Sequence, residues 1–377
     1  MRIRLTNIII GAAFVATAWA QSPPPAPAAS AAAPSAAPAP AAPPPPSPFH
    51  QGGMDFSFLL DGYADKNFNN PPSGFNGLQN FDFRANTAHI SLGKVTIDRA
   101  PAPVGFHLDV GFGSTLKWIS STDRAPEGFQ YFEQAYVSLK PKSWKGLEID
   151  LGKFTTSAGA EVIEANANWN YTRSLPFAWA LPYYHFGIKS SIPIGKFTGG
   201  FQVVQGWNNV YDNNSAKTLG FTGAYAWKTA TWTNVYYVGP ENTKTNDGIR
   251  HLYDTTLLIN SNEKTSFYLN FDYGQNGIKG EKAAKWAGFA GAVRYAITPK
   301  FAVAARSSYF DDVDGFSTGV TQRLGEITIT GEYTPVKYLI SRVEFRNDWS
   351  NQPFFEDKGS GSKTQPTLVF GLMLVLK

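Results

Sequence analysis

Phe267-Tyr268-Leu269-Asn270-Phe271-Asp272-Tyr273 sets the fold class. Its odd positions are all apolar or aromatic, and its even positions include Asn270 and Asp272. Successive strand side chains point to opposite faces, so the segment has one oily face and one wet face. The same alternation recurs upstream in Phe106-His107-Leu108-Asp109-Val110 and Leu147-Glu148-Ile149-Asp150-Leu151, and downstream in Arg342-Val343-Glu344-Phe345-Arg346. Sixteen such segments follow one another, at about 55–64, 82–94, 103–113, 129–140, 147–154, 183–192, 197–206, 217–227, 230–239, 252–260, 265–274, 286–297, 300–309, 318–334, 337–348 and 366–377. Ten residues at ~3.3 Å each, tilted near ~45°, rise about 23 Å, close to the ~25 Å apolar band of a membrane barrel.

The connections alternate as well. Even strands end in mostly short turns such as Pro193–Lys196, Trp227–Thr229 and Thr298–Lys300. Odd strands lead into longer polar loops at 65–81, 114–128, 155–182, 207–216, 240–251, 275–285, 310–317 and 349–365. Short turns on one side and long loops on the other predict an up-and-down antiparallel barrel with both chain ends on the periplasmic side. The wet face carries His107, Asp109, Glu148, Asp150, Asn270, Asp272, Arg342, Glu344 and Arg346. Sixteen strands enclose a lumen too wide for side chains to fill, so these residues are expected to line it and stay hydrated. Packed in a dry sandwich, each would need a partner.

Composition agrees. Only 16% of residues are charged while 15% are aromatic, which fits a lipid-facing exterior with aromatic girdles rather than a soluble enzyme. Trp118, Trp207, Trp227, Trp232 and Trp286 lie near strand ends and suit such girdles. There is no cysteine, which removes thiolate metal sites, disulfides and cysteine nucleophiles. Met1–Asn7 carries Arg2 and Arg4, Ile8–Trp19 is apolar, and Ala18-Trp19-Ala20 is a cleavage pattern, so residues 1–20 are expected to be a signal peptide. Its removal lowers the net charge from +4 to about +2, and no basic cluster points to nucleic acid. Residues 21–50 are dominated by Ala, Pro and Ser and are expected to form an extended periplasmic segment, leaving the barrel at 51–377.

From about Asp55 to Lys377 the chain resembles the β-barrel porin-2, OmpL-like, family. The resemblance is carried by Pro103-Val104-Gly105-Phe106-His107-Leu108-Asp109-Val110-Gly111-Phe112-Gly113 and Glu133-Gln134-Ala135-Tyr136-Val137-Ser138. It continues through Leu151-Gly152-Lys153-Phe154, Ala158–Glu164, Asn168–Ser174, and Gly206-Trp207-Asn208-Asn209-Val210. The family implies an outer-membrane channel for passive diffusion of small polar solutes and ions, with no cofactor and no catalytic residues. Outer-membrane lipid is then the surrounding partner, and a homotrimer follows by analogy with other sixteen-stranded porins. One departure is the C-terminus. Such barrels usually end in an aromatic residue, whereas this chain ends Leu374-Val375-Leu376-Lys377.

Loop 155–182 is the longest connection and the third extracellular one. It holds Glu161, Glu164 and Arg173, with Lys153 just before it. These four are expected to form a charged constriction with acids facing bases, since charge at a narrow point sets ion preference. A folded surface loop with solvated charges is the alternative. His50, His89, His107, His185 and His251 show no metal-ligand spacing, and no nucleophile motif appears. Asp311-Asp312-Val313-Asp314-Gly315 resembles only half of a calcium loop. Two other functional classes stay open: a substrate-specific outer-membrane channel, and a non-transport barrel that is enzymatic or structural.

Overall fold

Alternation along each strand builds the wall of the molecule. A computed structural model describes residues 49–124 and 128–377, so the expectations for residues 1–20 and for the Ala/Pro-rich stretch up to residue 48 lie outside the described residues. Sixteen long strands form one antiparallel sheet. They are β1 (Met54–Asn67), β2 (Ala88–Arg99), β3 (Val104–Phe112), β4 (Phe132–Leu139), β5 (Glu148–Thr155), β6 (Tyr184–Ile194), β7 (Phe197–Val204) and β8 (Thr218–Ala226). The second half comprises β9 (Ala230–Pro240), β10 (Ile249–Asn260), β11 (Thr265–Asn276), β12 (Ala284–Ala296), β13 (Phe301–Asp312), β14 (Gln322–Val336), β15 (Leu339–Ser350) and β16 (Thr364–Leu376). Each pairs with its sequence neighbour, and β16 closes the ring against β1 from Thr367↔Asn67 to Leu376↔Phe58. Closure leaves no unpaired edge, which a spanning sheet requires.

The oily face looks outward. On β11, Phe267, Leu269, Phe271 and Tyr273 are 38–47% exposed, while Tyr268, Asn270 and Asp272 are at most 2% exposed. Outward aromatics gather near the periplasmic rim, where Tyr225 meets Trp227 at 4.7 Å and Phe301 stacks on Tyr333 at 4.4 Å. Trp227 and Trp232 belong to that exposed surface. Trp286, Trp118 and Trp207 do not: Trp286 is buried inside and the other two pack against the interior clusters. Trp286 holds the inward register of β12, where Gly274 leaves it room and Ala180 O accepts its indole N–H at 3.0 Å.

Boundaries follow the sequence expectation to within four residues except in β2, which runs 88–99 rather than 82–94. Phe81-Asp82-Phe83 alternates like a strand but lies in the first loop. Besides an irregularity at Tyr333–Val336 on β14, two β-bulges break the dyad pattern near the site. Ser91 is the extra residue where Asp61↔Leu92 is followed by Gly62↔Ile90, and Glu133 is the extra residue where Asp109↔Gln134 is followed by Val110↔Phe132. A bulge reverses side-chain parity beyond it and re-aims a residue. Ile90 and Val95 therefore both face out, and Lys94 faces in.

Candidate functional site

The third loop, 156–183, does not stand above the barrel. It crosses the lumen, and its polar backbone is satisfied by the inner wall. Its short helix α1 (Leu175–Trp179) starts at Ser174, whose hydroxyl accepts the Phe177 N–H at 3.3 Å, with Pro176 in the first turn where a missing N–H does no harm. Three arginines of the β13–β15 wall hold the loop. Arg342 donates to Ala165 O at 2.7 Å and Asn168 O at 2.6 Å, and Arg346 donates to Arg173 O at 2.6 Å. Arg306 donates to Thr172 O at 2.6 Å and pairs with Glu161 at 2.7 Å. Glu344 accepts the Tyr171 and Thr172 N–H groups at 2.6 and 2.9 Å. Glycine permits the close approach: a Cβ on Gly371 would lie 2.3 Å from the Tyr171 ring.

On the facing wall, Lys94 Nζ lies 2.5 Å from Glu164, 3.1 Å from Glu133 and 3.3 Å from Asp109. The three carboxylates sit within 4.8 Å of one another, and the ammonium supplies their cation. His107 bridges Asp98 at 2.9 Å and Asp109 at 3.0 Å. Beside this group lies a cavity of about 310 Å³, lined among others by Ser57, Thr96, Gln134, Glu161, Glu164 and Lys377. Its outer end meets Phe177 and Tyr183. These rings and Phe81 of the first loop lie 6.0–6.2 Å apart in pairs, forming an aromatic seal. Burial pushes the neighbouring Asp82 carboxyl up to about 7; Arg346 and Arg173 oppose that shift and Glu344 adds to it.

The family described as "Putative beta-barrel porin-2, OmpL-like" matches residues 53–376. The chain belongs to this porin family. It is therefore a porin of the bacterial outer membrane, a channel for passive diffusion. Solved structures agree on the fold. The anion-selective porin from Comamonas acidovorans is 12% identical with a TM-score of 0.58, covering 85% of this chain and 99% of that one. The outer membrane channel DcaP of Acinetobacter baumannii is 10% identical with a TM-score of 0.60, covering 88% and 99%. OmpT of Vibrio cholerae, in a trimer form, is 12% identical with a TM-score of 0.56, covering 85% and 98%. No curated protein matches the chain.

The residues singled out from sequence occupy distinct places in the porin. Glu164 meets Lys94 and keeps some solvent exposure. Glu161 is buried against Arg306, and its other oxygen accepts the Ser174 N–H at 2.8 Å. Arg173 is turned into its own loop, donating to Val162 O at 3.0 Å. Lys153 donates to Phe132 O at 2.7 Å and lies 3.9 Å above the Tyr184 ring. Asp150 accepts from Ser138 and lies 3.4 Å from Lys189, and Glu148 pairs with Lys140 at 2.9 Å. Asn270 and Asp272 are buried, and Asn270 Oδ1 accepts the Ala160 N–H at the loop's start at 3.3 Å. Arg342, Glu344 and Arg346 are covered by loop backbone rather than by water.

Lys94, Glu133 and Arg306 were not among the expected site residues. Arg306 was within reach, because it shares the parity of Ala302, Ala304 and Ser308 on β13. The half calcium loop uses its acids locally: Asp312 accepts the Thr318 N–H at 2.7 Å and Asp314 accepts the Lys285 N–H at 2.9 Å.

Proposed function

We propose that this porin is a narrow, cation-preferring channel whose constriction is set by the inward third loop. Lys153, Glu161, Glu164 and Arg173 shape the loop side, and Lys94, Asp109 and Glu133 form the facing wall. The observation that carries this is the gathering of three carboxylates around one ammonium beside the cavity. Acids outnumber bases there, and a ring with negative excess favours cations. Asp61, Asp98 and His107 extend the polar lining, and no catalytic step or cofactor belongs to this reading. Reversal potentials in planar bilayers under a KCl gradient test it. Wild-type protein should favour K⁺ over Cl⁻, and Glu133→Gln with Glu164→Gln should lower that ratio. An anion-preferring wild type, or a ratio unmoved by the pair, rejects it.

A substrate-specific channel is the second reading, favoured by the aromatic cluster of Phe81, Phe177 and Tyr183 beside the cavity. It would show saturable conductance block by its solute.

A homotrimer is the third element of the proposal. β4, β5 and β7 have only 8 residues each, against 12–15 in β10–β16. Eight residues rise only about 19 Å at the same tilt, short of the ~25 Å apolar band. A wall too short for its bilayer is relieved by association with another subunit.

A further inference from the structure

Across the lumen from Lys94, two carboxylates face each other without any base. Asp254 on β10 is the direct cross-strand partner of Asp272 on β11, and they are 1% and 0% exposed. Asp254 accepts from Asn270 Nδ2 at 2.6 Å and from the Gly159 N–H, and Asn270 Oδ1 accepts the Ala160 N–H at 3.3 Å. The third loop is thereby laid directly over the pair.

Charge balance is missing here. β9, β11 and residues 156–160 contain no Lys, Arg or His, and among the described residues no basic side chain acts on either carboxylate. On β10, Arg250 donates to Asn276, and His251 meets Tyr236 on the outer face. Hydrogen-bond partners are missing too. Asp254 Oδ1 and both oxygens of Asp272 have none among the described residues, apart from the other carboxyl. Thr256 and Thr233 lie next on the same inward face, paired with each other and with Asn270. They are 4% and 5% exposed, and each hydroxyl lacks a partner among the described residues. Asp272, Asp254 and Thr256 thus bring four partnerless oxygens, and two potential negative charges, to adjacent buried inward positions of β10 and β11, with Thr233 one strand further on.

We propose that Asp254 and Asp272 form a buried site for a divalent cation of the calcium class, completed by the Thr256 hydroxyl and water. A charge of +2 balances two carboxylates that burial would otherwise make very unfavourable. Calcium accepts six to eight oxygen ligands in irregular geometry, whereas magnesium demands a near-ideal octahedron. The bound ion clamps the Gly159–Ala160 limb of the third loop to the β10–β11 wall. This assignment goes beyond the permeation reading and does not depend on which ions pass.

The full chain, refolded in detergent and stripped with a chelator, tests the site. Trp169 lies 5.1 Å from Tyr268, two residues along the inward face from Asn270, so bound terbium should be sensitised by excitation of these rings. The expected result is one saturable terbium signal displaced by calcium, together with a calcium-dependent rise in Tm. Both should be lost in Asp254→Asn and Asp272→Asn. Thr256→Val, which keeps both acids, should weaken calcium affinity, and it decides the matter if the acid variants do not fold. Wild-type protein without a terbium signal or calcium-dependent Tm overturns the proposal. So does a signal that survives in folded acid variants or is untouched by Thr256→Val, because it then arises elsewhere.

Discussion

Lys94 owes its position to one inserted residue. Without the Ser91 bulge, its side chain would share the outward parity of Ile90 and meet lipid. Inside, it is the only ammonium among Asp109, Glu133 and Glu164. Lys94→Gln should therefore increase cation preference in bilayer reversal potentials, and an unchanged or more anionic ratio would rule out its screening role. Asp82 gives a pH prediction. Its pKa is raised from 3.8 to about 7, so the docked first loop holds the proton that the undocked loop releases. The resulting stabilisation is complete below pH 4 and declines as pH rises toward 7. Conductance should be smaller at pH 5 than at pH 8 in wild type and nearly flat across that range in Asp82→Asn.

At the level of elements, the third loop and the β13–β15 wall behave as one unit. Removing Arg306 would strand Glu161 and Glu326 as buried charges, a change worth about 3–5 kcal/mol in comparable pairs. Arg306→Gln should release the loop, increasing single-channel conductance and exposing the 161–173 backbone to protease while the barrel stays folded. Phe81→Ala should enlarge conductance by opening the seal and leave the ion ratio near wild type.

The strands were legible because burial repeats every second residue, as on β13, where exposed and buried positions alternate from Phe301 to Phe310. The site was less legible, for two reasons. Parity counting fails at Lys94 and Glu133, because a bulge is a backbone event with no side-chain period. Loop charge gives no sign of its partner either: Glu161 looks solvated in sequence, yet its partner Arg306 lies 145 residues away.

For the whole molecule, wall height is uneven, and the outward surface of β4 and β5 belongs to its low side, β3–β8. Val137 and Leu151 are direct cross-strand partners there and are 48% and 56% exposed. Leu151→Trp keeps the surface compatible with lipid but spoils close packing between subunits. It should convert cross-linked trimers to monomers that retain their heat-modifiable mobility in electrophoresis. Monomeric wild type would remove the trimer assignment. Closure itself rests on β16, so truncation after Gly371 should abolish that mobility shift altogether.

The arginine clamp also sets a timetable. The third loop is synthesised between β5 and β6, but Glu344, which receives the Tyr171 amide, follows 173 residues later. Long sequence separation delays a contact until the intervening chain has been placed. The loop must wait as a loose appendage until the last quarter of the wall arrives. A protease pulse during refolding should therefore cut near residues 161–173 right up to the moment the ring shuts, making resistance at that point a clock for completed assembly.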